Sequence, residues 1–366
     1  MDVRLRNETV RPVWPFSLNG SPAAYPSEQL KDIIVWDSLF DTLTFALDVW
    51  LCLFICLFGV VTNVLSIRVF LKMGFKDTVN VTMTTIAFWD LVRVLAGGLN
   101  RMYGPIGLFS PALGKSWQNI GTTSLTYLQI ISGNVSFVLG GGGYVAVERC
   151  LCVIAPFKVK SLVTKERAIM ACIILSLVVF GTLSTSFFIF ECKWIYIKDL
   201  NTTIAVYDYS GIYKRYLGPS YWSAVKSLNT AYPIIVFFII VISTVIIAYQ
   251  LNSSYSFKKQ NLTAKSGSLT TPQEAKQTCK EKQVVRMLLV VIAVYIINLA
   301  PRVAQYLAMM IQPEYNVLKF YNNLYWTNIY IISTIDFINA SIHLFIFYNM
   351  SSKFKVTFLK LLSNKA

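Results

Sequence analysis

Charged residues are scarce in this sequence. Only 14% of its 366 residues are Asp, Glu, Lys or Arg, whereas 55% are apolar. A soluble core of this size needs more charged surface than that to separate it from water. The composition therefore excludes an ordinary soluble domain and indicates an integral membrane protein.

The sequence also lacks the residues that metal centres and catalytic sites require. Histidine occurs once, at position 343, and the seven cysteines show no metal-ligand spacing. Most of the cysteines lie inside apolar runs, where cysteine is usually a small packing residue. No arrangement of nucleophile, base and orienting group is visible. We therefore expect no disulfide framework, no metal, no cofactor and no enzymatic activity.

The opening segment has no apolar core. Asp2, Arg4, Arg6 and Glu8 lie at its start, which is not the pattern of a cleavable signal peptide. We expect the first membrane span to act as its own insertion signal.

What the sequence does contain is seven long apolar runs. A membrane helix needs roughly 20 mostly apolar residues, and a β-barrel would show alternating polarity rather than solid runs. The expected fold is an all-α membrane protein, a seven-transmembrane helix bundle over residues 44–349 that follows an N-terminal segment, 1–43. The runs cover about 44–71, 79–101, 119–149, 167–190, 222–250, 282–311 and 322–349.

The distribution of charge predicts the orientation. A net charge of +15 suggests nucleic acid in a soluble protein, but here lysine and arginine cluster after the first, third and fifth runs. Because such loops face the cytoplasm, we expect the N-terminus outside the plasma membrane and no nucleic-acid partner. Three glycosylation sequons then fall on the outer side, at Asn7, Asn19 and Asn201. The same motif also begins at membrane and cytoplasmic positions, so it is a weak signal.

The last run is followed by an amphipathic segment. From Met350 to Leu362, phenylalanines and leucines are interleaved with lysines, in the pattern of a short helix on the membrane surface. We expect residues 350–366 to form a cytoplasmic amphipathic eighth helix and tail that contact membrane lipids.

A short motif closes the third run. Glu148, Arg149 and Cys150 end it, and Pro156 follows Arg149 by seven positions. The triplet alone carries little information, but its place at the cytoplasmic end of a third span, before that proline, is informative. Further residues stand in matching order in the other runs, namely Asn63, Asp90, Pro233 and Pro301.

In order and spacing, these motifs resemble the rhodopsin-like (class A) G-protein-coupled receptors over residues 44–358. The local sequence is most similar to invertebrate FMRFamide-type neuropeptide receptors and molluscan candidate chemosensory receptors. The resemblance implies a receptor that transduces an extracellular ligand to heterotrimeric G proteins, with arrestin as a further partner. It also implies that Arg149 pairs with Glu148 and Glu281 at rest and releases Glu281 when span six swings outward. The alternative is an arginine that only adds to the positive-inside charge.

Several positions depart from this pattern. No cysteine lies between Cys56 and Cys150, so Cys192 lacks its usual disulfide partner at the outer end of span three. Ser176 stands near the place of the customary tryptophan in span four, and Val241 replaces a tyrosine in span five. The segment from His343 to Phe347 replaces the N-P-x-x-Y motif. The activation relay is altered, and strong constitutive activity and weak coupling both stay open.

By this resemblance the single histidine falls opposite Asp90, where relatives often coordinate a sodium ion. A protonated His343 that takes the place of the cation would give a pH-sensitive state. The alternative is a neutral His343 that is hydrogen-bonded within the bundle. In both cases we expect the sodium site to be degraded.

Four consecutive glycines, 140–143, lie in span three. Small residues let membrane helices approach closely, and glycine is also a site where helices bend. The run therefore predicts tight packing or, as the alternative, a hinge.

Charges inside the apolar runs indicate where a ligand binds. Charged side chains in a membrane rarely persist without a partner or a task, and Arg93, Arg302 and Asp336 qualify. By resemblance, Arg302 and Asp336 face the outer cavity. We expect Arg93 to pair with Asp336 and to leave Arg302 free for an anionic group such as a carboxylate. The alternative is that all three form internal ion pairs.

Other positions narrow the ligand class. By resemblance the pocket-facing residue of span three is Ile131, so the aspartate that anchors amines is missing, and Phe337 replaces the lysine that opsins attach to retinal. The second outer loop carries aromatic and basic residues that suit a peptide, although membrane-interface anchoring explains part of them equally well. The expected ligand is a peptide or a small anionic chemosensory molecule. A non-signalling scavenger receptor is an alternative, and a seven-helix transporter is a weaker one because no internal repeat is visible.

Overall fold

The computed structural model describes residues 34–75, 77–140, 143–154, 163–197, 202–264, 293–316 and 319–363. Seven helical segments within these ranges are long and apolar enough to cross a membrane, which confirms the seven-helix bundle. The start of the predicted sixth run, 282–292, lies outside the described residues. Spans one to seven are Asp37–Met73, Thr78–Phe109, Pro111–Glu148, Lys165–Phe188, Tyr213–Ile247, Ala293–Ile311 and Asn322–Asn349.

Several spans consist of more than one helical piece. Span one contains a π-helical stretch at Thr44–Leu51 between Asp37–Leu43 and Cys52–Met73. Span two has its main helix at Thr78–Arg101 and a short helix at Tyr103–Phe109. In span five the helix Gly218–Ala264 includes the buried Pro233, as the motif order predicted. The remaining pieces are Lys165–Ser184 and Thr185–Phe188 in span four, Tyr213–Leu217 before span five, and Asn322–Met350 in span seven.

Span three is interrupted at its glycines. The helix Leu125–Leu139 ends at Gly140, which has a ψ of −155°, and the next helix, Tyr144–Ile154, begins after the run. A Cβ atom on Gly140 would lie 2.3 Å from the hydroxyl oxygen of Tyr295 on span six. Spans three and six therefore pack tightly at Gly140, and the helix of span three is also broken there.

The turn between spans one and two marks one end of the bundle. Gly74 has a φ of 78°, a left-handed conformation that favours glycine, and its carbonyl accepts a hydrogen bond from the Asn80 side chain. Next to this turn, the Thr78 hydroxyl donates to Glu148, and Lys353 lies 3.3 Å from Asp77. We call this the Glu148 end.

The eighth helix, Ser352–Ser363, packs at the Glu148 end. Phe354 is its buried anchor and contacts the rings of Phe70 on span one and Phe347 on span seven, at 5.1 and 5.8 Å between centroids. The predicted amphipathic helix is therefore present, and Phe347, from the altered span-seven motif, helps to hold it.

A β-hairpin, which the sequence did not lead us to expect, lies between spans four and five. Strand β1, Phe190–Ile197, pairs antiparallel with strand β2, Thr202–Tyr209. Strand β2 rests on the first helix of span three, Pro111–Thr123, where Asn119 donates to the Ala205 carbonyl and Ser116 accepts from the Ala205 N–H. We call this the hairpin end.

Side chains of the spans divide between a polar interior and an apolar surface. Phe54, Leu177 and Phe238 are among the many large apolar residues that are mostly exposed, as expected for helices that face lipid. Inside the bundle, Asn63 of span one donates to the Ala340 carbonyl of span seven. Trp89 of span two donates to Ser176 of span four. Ser176, near the place of the customary tryptophan, thus contributes a hydrogen bond to the packing of spans two and four.

Candidate functional site

Two arginines share one buried carboxylate in the middle of the bundle. Arg93 Nη2 of span two lies 2.6 Å from Asp336 Oδ2 of span seven, and Arg302 Nη2 of span six contacts the same oxygen. We call these three residues the Asp336 cluster. The expected Arg93–Asp336 pair is present, but the expectation that Arg302 stays free is wrong. Arg302 lies within reach because Asp336 faces spans two and six at once.

Span three forms the wall behind the two guanidinium groups. The Cζ atoms of Arg93 and Arg302 lie 4.9 and 5.7 Å from the centre of the Phe137 ring, within the range of a cation–π contact. One turn away, a Cβ atom on Gly133 would come within 3.1 Å of Arg93 Cζ. Gly133 therefore makes room for the Arg93 guanidinium, and Phe137 stabilises both positive groups.

The Asp336 cluster has more hydrogen-bonding groups than the described part of the chain satisfies. Two positive groups face one negative group, so the ionised cluster has an excess positive charge. Arg93 Nε and Nη1, Arg302 Nε and Asp336 Oδ1 find no hydrogen-bond partner among the described residues. Buried polar atoms are normally paired. The cluster is thus suited to accept a further polar group, with an anion preferred.

Buried amides extend this polar region along spans six and seven. Gln305 and Asn298 lie three and four residues from Arg302, and Asn339 lies three residues from Asp336, spacings that put side chains on one helix face. All three are at most 5% exposed, and both polar side-chain atoms of each lack a partner within the described part of the chain. None of the three was predicted as a site residue, because an amide inside an apolar run is not conspicuous in sequence.

A second polar layer lies towards the Glu148 end. The Ser136 hydroxyl donates to Asp90 Oδ1 at 2.7 Å, and His343 Nδ1 lies 3.1 Å from Asp90 Oδ2. This places His343 opposite Asp90, as the motif spacing predicted. A hydroxyl and an imidazole thus each contact one oxygen of the Asp90 carboxylate, and the degraded sodium site stays a prediction. Among the described residues there is no group of three or more His, Cys, Asp or Glu that suits a metal.

Tyr295 links this layer to the break in span three. Its ring centre lies 5.7 Å from that of His343, and its hydroxyl occupies the space beside Gly140. Tyr295 and Arg302 are seven residues apart on span six, about 10 Å along a helix axis. One helix therefore contacts both the Asp336 cluster and the break in span three.

A second arginine–aspartate pair, which sequence reasoning missed, joins spans one and two. Arg101 Nη2 donates to Asp48 Oδ1 at 2.6 Å, and Arg101 Nε donates to the Asp48 backbone carbonyl. Arg101 Nη1 donates to the Gly97 carbonyl and to Gln129, and the Tyr103 hydroxyl donates to Asp48 Oδ2. Arg101 was overlooked because it ends the predicted second run, where a basic residue is ordinary.

A cavity of about 730 Å³ lies between spans six and seven, on the hairpin side of the Asp336 cluster. Burial raises the pKa of the Tyr315 hydroxyl on its wall, although the hydrogen bond from Asn328 opposes this shift. Tyr315 is therefore a neutral group at the cavity. The wall includes Ile34, Pro301, Ala304, Gln305, Ala308, Ile311, Tyr315, Asn328, Ile331 and Ile332.

The sequence matches a known protein family. The model of the serpentine-type seven-transmembrane G-protein-coupled chemoreceptors, Srw, matches residues 50–365, which is most of the chain. The chain belongs to this family. A comparison with curated proteins finds no match. Family and fold together make the chain a multi-pass membrane receptor of the G-protein-coupled type.

The other predicted positions of this receptor are only partly described. Glu148 is buried and accepts a hydrogen bond from Thr78 at 3.0 Å. The Arg149 side chain, Pro156 and Glu281 lie outside the described residues, so the resting pairs of Arg149 stay a prediction. The predicted glycosylation sites Asn7, Asn19 and Asn201 also lie outside them.

Ile131 does not line the cavity between spans six and seven. Its side chain is 1% exposed and belongs to the apolar core cluster that also contains Val135 and Leu183. Ile131 therefore packs in the apolar core, and its role at a ligand pocket stays a prediction. Phe137 and Gly133 are the span-three residues that contact the arginines.

The hairpin divides the aromatic residues of its loop into two groups. Tyr207 and Tyr213 are buried, and Tyr209 stacks on Tyr213 at 4.6 Å between ring centres. Trp194 and Tyr196 of β1 stay exposed. Much of the surface that the sequence suggested for a peptide is therefore used to hold the hairpin together.

Charges on the hairpin pair locally. Lys214 Nζ lies 2.7 Å from Asp208 Oδ2, and Lys193 lies between Glu191 and Asp208. Partial burial raises the pKa of Asp208, but the hydrogen bonds from Lys214 and the Tyr209 N–H outweigh it, and the pKa lies below its ordinary value. These basic residues thus have partners within the hairpin.

Cys192 lies on strand β1, at the end of the hairpin that packs next to span three. Its Sγ atom lies 3.2 Å from the Thr123 hydroxyl, and the cysteine is exposed and free. A hydrogen bond to Thr123 joins the hairpin to span three.

Proposed function

We propose that this receptor binds an extracellular ligand with an anionic group and transmits its binding to heterotrimeric G proteins. The observation that carries the ligand assignment is the Asp336 cluster, in which two arginines share one carboxylate and leave nitrogens without a hydrogen-bond partner among the described residues. Membership of a G-protein-coupled chemoreceptor family supports the signalling part.

The proposed orientation places the hairpin end outside the plasma membrane. Lysines and arginines concentrate after spans one, three and five, and such loops face the cytoplasm. The N-terminal segment with Asn7 and Asn19 is then extracellular and open to glycosylation, and the eighth helix is cytoplasmic. In this orientation the Asp336 cluster lies between the outer surface and Asp90.

The proposed binding step is an exchange of carboxylates. A ligand carboxylate can accept two parallel hydrogen bonds from a guanidinium group, and Arg302 already has one on Asp336. Because Arg93 also holds Asp336, Arg302 is able to turn towards the ligand without leaving that aspartate unpaired. The arginine thus changes partner within a polar site.

The proposed transmission runs along span six. Pro301 precedes Arg302 and lacks a backbone N–H, which weakens the helix at that point. A movement of Arg302 towards the ligand therefore bends span six near Pro301. The same helix carries Tyr295, which packs beside Gly140 of span three. By resemblance to rhodopsin-like receptors, an outward swing of span six frees Arg149 from Glu281 and opens the G-protein site. Arrestin is proposed as a further partner on the same grounds.

A small anionic molecule fits these observations better than a peptide. The anion site is buried, with Arg93 and Asp336 at most 2% exposed, whereas the hairpin aromatics partly pack among themselves. A peptide of the FMRFamide type is the second candidate, because Trp194, Tyr196 and Tyr216 stay exposed at the hairpin end.

The test is a ligand screen in cells that express the receptor with a promiscuous G protein. Small carboxylic acids and amidated peptides are applied, and calcium release is recorded. We expect responses to carboxylic acids, and a loss of potency of about tenfold or more in Arg302→Gln because hydrogen bonds to a charged group are removed. The matched control is Arg215→Gln, an exposed arginine at the same end.

Surface expression of each variant is measured in the same cells with an antibody to an N-terminal tag. A carboxylate response that keeps its potency in Arg302→Gln, at equal expression, would overturn the proposed site. Responses restricted to peptides without acidic groups would favour the second candidate.

A further inference from the structure

The cavity between spans six and seven differs from the interior of the bundle. Its wall is formed by these two spans, by the segment that joins them and by Ile34. Two small residues one turn apart, Ala304 and Ala308, provide the space on span six. The volume of about 730 Å³ lies within the range of roughly 300–1,000 Å³ that small-molecule sites occupy.

The cavity opens on the apolar surface of the bundle. Ile331 of span seven is 42% exposed, and Ala304 of span six is exposed as well. In a bilayer, exposed apolar residues of a membrane span face lipid chains. An apolar molecule can therefore enter sideways between the two helices without crossing the hairpin.

One polar residue of the cavity wall, Gln305, lies three positions from Arg302 of the Asp336 cluster on span six. Gln305 lines the cavity, and its amide finds no partner within the described ranges. Pro301, also on the wall, directly precedes Arg302, and Ile332 lies one turn before Asp336. Adjacent turns of a helix are about 5.4 Å apart. Arg302 and Asp336 are therefore each within about one helical turn of a residue on the cavity wall, although neither lines the cavity itself.

We propose that the cavity and the Asp336 cluster form one site for an amphiphilic carboxylic acid. The carboxylate accepts hydrogen bonds from Arg302 and Gln305, and the alkyl chain lies between spans six and seven. A fully apolar molecule would leave the buried nitrogens unsatisfied, and a short acid would leave the apolar walls without a partner. The inference rests on the anion site of the proposed function and adds the apolar half of the ligand and its route.

The test measures binding without any signalling step. Full-length receptor is purified into phosphatidylcholine nanodiscs, and its thermal unfolding is followed with decanoate, decanol, decylamine or acetate. A molecule that binds the folded protein raises the unfolding temperature. We expect decanoate to raise it by several degrees, and the other three to have little effect.

Substitutions locate the site. Ala308→Phe fills the cavity and is expected to abolish the effect of decanoate. Leu307→Phe adds the same ring at the next position, which is 48% exposed and off the cavity wall, and is expected to keep it. If Ala308→Phe does not fold, Ala304→Phe serves the same purpose, because position 304 is exposed. Arg302→Gln is expected to weaken decanoate about tenfold or more.

Each of the following results would overturn the proposal. Equal stabilisation by decanol would show that the carboxylate is not recognised, and an undiminished effect in the folded cavity-filling variants would exclude the cavity. If phosphatidylglycerol in the nanodiscs stabilised the receptor and prevented the effect of decanoate, the ligand would be a bilayer lipid rather than a free acid.

Two other results distinguish a failure of this inference from a failure of the proposed function. Acetate that stabilises the receptor as much as decanoate, with an effect lost in Arg302→Gln, would refute the amphiphilic ligand and leave the anion site intact. Decanoate that binds as expected but evokes no G-protein response would refute the signalling step and support the site.

Discussion

The bundle contains two sites of buried charge that differ in their hydrogen bonding. Arg101 pairs with Asp48 in the first site, and two arginines share Asp336 in the second. In the first site one arginine meets one aspartate, and backbone carbonyls, Gln129 and Tyr103 use the remaining groups. In the second site two arginines share one carboxylate oxygen, and several nitrogens have no partner in the described part of the chain.

The difference supports the proposal that the first site is a structural pair and the second a binding site. A buried charge is tolerated when it is paired and its other hydrogen bonds are satisfied, which is the condition of Arg101 and Asp48. Donors that lack such partners make a site more costly for the fold and more favourable for a ligand that satisfies them. We therefore regard the first site as a clamp between spans one and two and propose the second as the ligand site.

The largest effect is expected from Asp336→Asn. Both guanidinium groups lose their common carboxylate, and breaking a buried ion pair costs about 3–5 kcal/mol of unfolding free energy. Thermal unfolding of the purified receptor measures the loss. The matched control, Asp77→Asn, affects an exposed pair with Lys353 and should cost about 0–1 kcal/mol. Equal unfolding temperatures for the two variants would mean that the Asp336 cluster is not an ion cluster.

Arg101→Met comes next, with a cost of about 3 kcal/mol, because Asp48 loses the charge that compensates it. Asp48 keeps the Tyr103 hydrogen bond, so the cost is lower than for Asp336→Asn. The same unfolding assay applies, with the exposed Arg68→Met on span one as control. Adding Asp48→Asn to Arg101→Met should recover part of the loss, and no recovery would contradict the assignment of a pair.

Tyr103→Phe tests one hydrogen bond of the clamp. The variant removes the hydroxyl that donates to Asp48 Oδ2 at 3.1 Å, and the loss should be about 1 kcal/mol of unfolding free energy. The response to ligand should stay unchanged, because Tyr103 does not contact the Asp336 cluster. A changed ligand potency with unchanged stability would reverse the roles given to the two sites.

Gln305→Met should have the smallest effect on stability. Its amide has no partner in the described ranges, so an apolar side chain of similar size should change the unfolding free energy by less than about 1 kcal/mol, in either direction. Decanoate binding should weaken, since a hydrogen bond to the carboxylate is lost. If Gln305→Met destabilises the receptor as much as Tyr103→Phe does, the contrast between the two sites fails.

Two polar pairs of the bundle were predictable from the sequence, Arg93 with Asp336 and Asp90 with His343. Charge within an apolar run identified Arg93 and Asp336, and the motif spacing identified Asp90 and His343. Gln305 and Asn298 were not predictable, because amides are tolerated in membrane helices for several reasons. The hairpin was missed because its strands lie in a loop whose aromatic residues also suit the membrane interface.

The number, length and helical nature of the spans follow from the sequence alone. A run of about 20 apolar residues in a bilayer must satisfy its backbone internally, whatever lies beside it. Which charges share a partner was decided only in the tertiary structure. Arg302 meets Asp336, and Gln305 meets the cavity, because of the rotation and spacing of spans two, six and seven. Those depend on packing between helices that are distant in sequence, which no local pattern records.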